Sequence, residues 1–85
     1  MKIFSRLDRH SSLVKRMARA LGVDHGTTLL AGEIEPADFR LQVVRCTGCS
    51  DPDGCEQWLD ALEGPVSDTP EFCRNRVALS ALARK

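Results

Sequence analysis

The sequence has no apolar run long enough to span a bilayer. Nowhere do about eighteen apolar residues occur together, and the opening MKIFSRLDRH lacks the apolar stretch of a secretion signal. Neither a membrane nor an export route is therefore expected, and the chain reads as soluble and cytoplasmic. An excess of charge is missing as well, since 12 basic residues face 12 acidic ones. Proteins that grip nucleic-acid phosphates carry a net positive field, so nucleic acid is not an expected partner. Sustained alternation of apolar and polar residues is absent, which removes a sheet as the basis of the fold. No internal repeat or low-complexity tract is present. Nor is there a G-x-S-x-G, an H-E-x-x-H or a phosphate-cradling glycine loop. Hydrolase chemistry has no sequence support, and no catalysis on a small-molecule substrate is implied.

What is present fits one small globular domain. Eighty-five residues, 42% hydrophobic and 28% charged, make a single unit spanning 1–85, with 1–10 expected to be flexible. Folding such a chain removes only roughly 60% of the surface that its unfolded form exposes, so its core needs support from elsewhere. The charges are unevenly distributed. Residues 1–23 carry Lys2, Arg6, Arg9, Lys15, Arg16 and Arg19 against Asp8 alone, and the remainder carries six basic residues against eleven acidic ones. Such an asymmetry serves either an internal electrostatic contact or the steering of a protein partner.

Helical spacing accounts for most of the chain, and the expected fold is a compact all-α bundle of four or five short helices. Leu13, Val14, Met17, Ala18 and Leu21 recur at three- and four-residue steps, between Ser11 or Ser12 as N-cap and Gly22 as terminator. Lys15, Arg16 and Arg19 lie on the opposite face, a solvated surface or a site for docking a partner. Asp24 caps a second, short segment that turns Leu29, Leu30 and Ala31 inward. Glu35 and Pro36 start a third, in which Phe39, Val43 and Cys46 share a face with Leu41 and Val44 beside it. Asp51 and Pro52 start a fourth, with Trp58, Leu59 and Leu62 apolar. Asp68 or Thr69 followed by Pro70 predicts a fifth, carrying Val77, Leu79, Ala81 and Leu82 and basic at its end.

All four cysteines fall between the third segment and the fifth: Cys46, Cys49, Cys55 and Cys73. On this outline Cys46 ends one helix, Cys49 lies in a turn, Cys55 begins the next helix and Cys73 sits in the first turn of the last. Helix N-termini stabilise thiolates, so Cys55 and Cys73 are expected to ionise readily. In a reducing compartment, clustered cysteines are more often metal ligands or redox groups than structural disulfides. Three uses compete. One is an iron–sulfur cluster on all four thiolates, serving electron transfer or redox sensing. Its support is three close cysteines plus a remote fourth, although the spacing C-x2-C-x5-C-x17-C matches no standard ferredoxin pattern. Another is structural zinc on the same four thiolates in an interaction adaptor, for which a second short knuckle is missing. The last is disulfides, free thiols or a thiol–disulfide switch at Cys46 and Cys49, with no metal. Asp51, Asp53 and Glu56 set acidic charge beside the thiols, either as ordinary helix-start residues or as a surface for a basic partner. Trp58 and Phe72 either shield such a site or simply fill the core. His10 and His25 stand apart from the cysteines in sequence, each able to ligate but expected at solvent or in a local hydrogen bond.

The segments RMARALGVD, VVRCTGCSDPDGCEQWL and PEFCRNRVAL resemble a family of small bacterial four-cysteine helical domains of unknown function. The shared pattern is R-C-x2-C, C-x2-W-L and F-C-x-N, held here by Arg45, Cys46, Cys49, Cys55, Trp58, Leu59, Phe72, Cys73 and Asn75. The resemblance implies that the cysteines, Trp58, Phe72 and Asn75 form one recurring unit. It implies no activity.

Overall fold

A computed structural model describes residues 2–84, with side chains from residue 6 onward. It contains α1 (Lys2–Ala20), α2 (His25–Leu30), α3 (Pro36–Thr47), α4 (Pro52–Asp60) and α5 (Arg76–Ala83). Among the described residues there is no strand, so the molecule is all-α.

The first helix starts far earlier than Ser11 and Ser12 predicted. Their capping tendency loses because the buried stripe Leu13, Val14, Met17 and Ala18 extends back to His10, itself only 4% exposed. Arg6 and Arg9 of the same turns are also held, Arg6 donating to the Thr47 carbonyl at 2.8 Å. Residues 2–10 are thus helical rather than a loose lead, and Met1 lies outside the described residues. At the other end Gly22 ends α1 as expected, adopting a φ of 84° that a side chain would resist.

The next three helices begin where the sequence placed them. Asp24 accepts from the Thr27 N–H and hydroxyl, Glu35 and Asp38 form a capping box around Pro36, and Asp51 accepts from the Gly54 N–H at 2.9 Å. Their inward faces differ in part from expectation. In α2, Leu30 is 92% exposed and Ala31 is exposed, whereas His25 and Thr28 are buried. Less than two turns long, α2 can turn only one narrow face inward. Most of its buried polar groups have partners: His25 Nε2 meets Gln42 Oε1 at 2.8 Å and the Thr28 hydroxyl donates to the His25 carbonyl at 3.0 Å, while His25 Nδ1 is buried without one. In α3, Val43 is buried and Leu41 and Val44 face outward.

The last helix starts late. Pro70 does not open it; residues 70–75 form turns in which the Cys73 N–H donates to the Pro70 carbonyl at 3.1 Å. Asp68 is drawn to Arg76 and Ser80 of α5 and holds its own carboxyl below the usual carboxylate range, chiefly through Arg76. Within α5, Leu79 and Leu82 are buried while Val77 is 84% exposed. Lys85, which was to make the helix end basic, lies outside the described residues.

One core unites these pieces, built from Leu13, Met17, Ala18, Val23, Cys55, Leu59, Leu79 and Leu82. The long α1 forms its wall, packing against α3 and α4. The charge asymmetry reappears as cross-helix pairs: Arg9 reaches both Asp53 and Glu56, at 2.6 and 2.9 Å, and Arg16 reaches Asp60 at 2.7 Å. These half-exposed pairs fix the angle of α4 on α1 more than they add stability.

Candidate metal centre

Three stretches of chain bring the four cysteines to one place. Cys46 sits in the last turn of α3 and Cys49 in the turn that follows, whose Gly48 and Cys49 N–H groups close onto the carbonyls of Arg45 and Cys46. Cys55 lies in the first turns of α4 and is buried, because Asp51 and Pro52 start that helix with residue 55 facing α1. Cys73 precedes α5 instead of lying within its first turn, as the sequence suggested. All four line one cavity of about 20 Å³, walled otherwise by apolar side chains of α1, Phe72 and Leu79, with Arg74 and Asn75 at its edge. That exceeds the ~10–15 Å³ needed to hold one water molecule. Among the described residues no three His, Cys, Asp or Glu side chains are placed to hold a single metal ion.

Burial governs the chemistry of these thiols. It pushes Cys46 up to about 12 and Cys55 up to about 11, with the neighbouring cysteines adding to both shifts. Cys73 is raised too, again mainly by burial, although the Asn75 N–H and the Thr69 hydroxyl pull it back. This reverses the expectation that helix N-termini would make Cys55 and Cys73 acidic: desolvation outweighs the dipole. The metal-free protein therefore keeps Cys46, Cys55 and Cys73 protonated at neutral pH.

An alkaline weakness follows. Unfolded cysteine ionises near 9.0 while the folded thiols hold their protons to about 11 and 12, so above pH 9 the unfolded chain binds fewer protons and gains ground. The urea midpoint of metal-free protein is expected to fall between about pH 7 and about pH 10. In C46A/C55A the fall should be much smaller, and with no tyrosine in the chain few other groups titrate there. A wild-type midpoint that holds steady over that range would contradict the assigned burial.

The surrounding residues take varied places. Phe72 and Asn75 line the cavity, while Trp58 packs partly buried on the core instead. Asn75 donates through Nδ2 to the Gln42 carbonyl at 2.7 Å, which ties the Cys73 segment to α3, and its buried Oδ1 has no partner. Asp53 and Glu56 are engaged by Arg9, and Asp51 by the start of α4, so the acids beside the thiols are neutralised or used locally. Of the basic face of α1, Arg16 is committed to Asp60, Lys15 lies 5.8 Å over the Phe39 ring, and Arg19 stays exposed.

His10 escaped the sequence reading. It is buried, with Nδ1 3.3 Å from the Cys46 sulfur, where solvent or a local partner had been expected. Burial first, then the charges of Arg6 and Arg9, push its pKa down and keep the ring neutral. The signal was its place on the apolar stripe, three residues before Leu13 and four before Val14. His25 is buried away from the cysteines, its ring 4.8 Å edge-on to Phe39.

Among the described residues no helix is long and apolar enough to cross a membrane. No curated protein and no solved structure matches the chain. The resemblance read from the cysteine pattern does have a counterpart. The model of a family of unknown function, DUF6455, matches residues 1–85, and the protein belongs to that family.

Proposed function

We propose that Cys46, Cys49, Cys55 and Cys73 hold an iron–sulfur cluster, and that the protein serves one-electron transfer or redox sensing in the cytoplasm together with a protein partner. The observation that carries this reading is the convergence of all four cysteines, from the end of α3 with its following turn, from α4 and from the segment before α5, on one apolar-walled cavity. The donor set fits. Thiolates are the ligands that iron–sulfur clusters require, and a cluster places its own iron and sulfide atoms between the protein sulfurs. Its ligands consequently stand further apart than the roughly 3.8 Å that tetrahedral zinc–thiolate bonds of about 2.3 Å impose. The cavity of about 20 Å³ is smaller than a cluster, so taking one up requires the segments that carry the cysteines to move apart. When bound, such a cluster supplies reversible one-electron chemistry.

The chain's own residues set the conditions. Leu13, Val14, Met17, Phe72 and Leu79 keep water from the cavity. His10 is placed to donate its Nδ1–H to the Cys46 sulfur, a contact of the kind that orients a ligand and tunes its charge. A reducing cytoplasm keeps the thiols available. No substrate turnover, nucleic acid or membrane enters the proposal.

Elemental analysis of protein purified without oxygen is the test. Iron with a matching amount of acid-labile sulfide, and broad visible absorption that bleaches on reduction, is the expected outcome. Colourless protein with one zinc per chain would replace the cluster by a structural site in an interaction adaptor. Protein free of metal, with its cysteines as thiols or disulfides, would overturn both.

A further inference from the structure

We propose that the groove formed by Val44, Arg45, Gly48 and Arg74 docks the acidic, apolar-centred surface of a protein partner. The groove is a shallow, open depression of about 490 Å³ beside the C-x-x-C turn. Leu41, Val44, Arg45 and Gly48 recur at three- and four-residue steps along the outer face of α3 and its cap. On that face Leu41 is 46% exposed and Val44 58% exposed. Single exposed apolar residues are ordinary; two adjacent ones flanked by free arginines form a patch with a character of its own.

The charges identify the occupant. Arg9, Arg16 and Arg76 are each neutralised by an acid within the molecule. Among the described residues no ion pair engages Arg45 or Arg74, nor the likewise exposed Arg19 and Arg40, but Arg45 and Arg74 are the ones that flank one depression together with Val44. Guanidinium groups bind carboxylates through paired hydrogen bonds and are enriched at protein interfaces, with apolar residues at the centre and charge at the rim. All four groove residues are exposed, which suits the broad surface of a protein; pockets for small ligands bury most of their guest. Nucleic acid would need a wider positive field than two arginines on a chain of zero formal net charge provide.

Position adds consequence. Arg74 lines the groove and also the four-cysteine cavity, and Gly48 lies between Cys46 and Cys49. A partner seated there covers the C-x-x-C turn, the shortest way from the cysteines to the surface of another protein. Docking itself depends on the two arginines and the apolar stripe, not on any bound metal.

The probe is a fluorescein-labelled peptide of alternating glutamate and leucine, followed by anisotropy and by amide chemical shifts, on protein as purified and again after metal removal. Binding in both states is expected, with shifts gathered on residues 41–48 and 74 and affinity falling as salt rises from about 0.05 to about 0.5 M. R45E/R74E should weaken binding about tenfold or more, and R45K/R74K far less. Both positions are exposed, so an unchanged urea midpoint confirms intact folding of each variant. Full binding by R45E/R74E, shifts centred on Lys15 and Arg19, or no binding at all would each overturn the proposal. Because both states are measured, a protein that holds no cluster still tests the groove.

Discussion

Leu79→Ala is expected to lower the unfolding free energy by about 3 kcal/mol, while Val77→Ala, two residues away on the same helix, changes it by less than about 0.5 kcal/mol. Leu79 is fully buried and Val77 is 84% exposed. A helix of eight residues has almost no stability of its own in water, so α5 exists only because Leu79 and Leu82 are packed into the core. Truncating Leu79 removes that anchor and leaves a void in the close-packed core that it shares with Leu13, Met17 and Leu82. A small domain has about 5–10 kcal/mol in total, so the loss takes a large share of it. The damage reaches the cysteines, because Leu79 also lines their cavity and its N–H donates to the Asn75 carbonyl at 2.8 Å. Urea unfolding of both variants, with slopes compared against wild type, measures the difference. Equal effects at 77 and 79 would mean that α5 does not dock through this face.

These two residues also mark where sequence reasoning ends. Both satisfy an apolar pattern, and their opposite fates depend on how the eight-residue α5 rotates against α1, a tertiary fact with no local signature. Helix starts were legible wherever capping was local. Asp24, Glu35 with Pro36, and Asp51 with Pro52 act on backbone groups three residues away, and each starts its helix where expected. The same grammar failed at Ser11 and Pro70. At the first, long-range partners of Arg6, Arg9 and His10 extend the helix through the serines. At the second, Asp68 bonds Arg76 and Ser80, and Pro70 stays in a turn. For the candidate site, Cys46 and Cys49 come together through adjacency alone. Cys55 joins them because α4 packs on α1, and Cys73 because Asn75 ties the segment before α5 to the Gln42 carbonyl of α3. His10, lying 36 positions from Cys46, has no sequence signal of that proximity.

Cys55→Ala is expected to abolish iron and labile-sulfide incorporation while leaving the helices intact, the largest functional effect in the molecule. The four cysteines line one cavity. His10, with Nδ1 3.3 Å from the Cys46 sulfur, is a nearby side chain able to substitute, so His10→Gln/Cys55→Ala is compared with Cys55→Ala to remove that replacement. The acids closest in sequence are spent: Asp53 and Glu56 on Arg9, and Asp51 on the Gly54 N–H. A cluster stripped of one thiolate and unable to recruit His10 faces mainly Leu, Val, Met and Phe side chains, and such a centre is lost to solvent and oxygen. Alanine is chosen over serine because a hydroxyl at this buried position risks an unmet hydrogen bond, whose cost of about 1–3 kcal/mol would confuse misfolding with loss of the ligand. Far-ultraviolet circular dichroism supplies the fold control, and iron and sulfide per chain after anaerobic reconstitution supply the readout. His10→Gln makes the contrasting variant. It removes the imidazole beside Cys46 but no thiolate, so it should retain the cluster and shift its midpoint potential. Wild-type loading in both Cys55→Ala and His10→Gln/Cys55→Ala would remove residue 55 from the ligand set, and with it the four-thiolate centre itself.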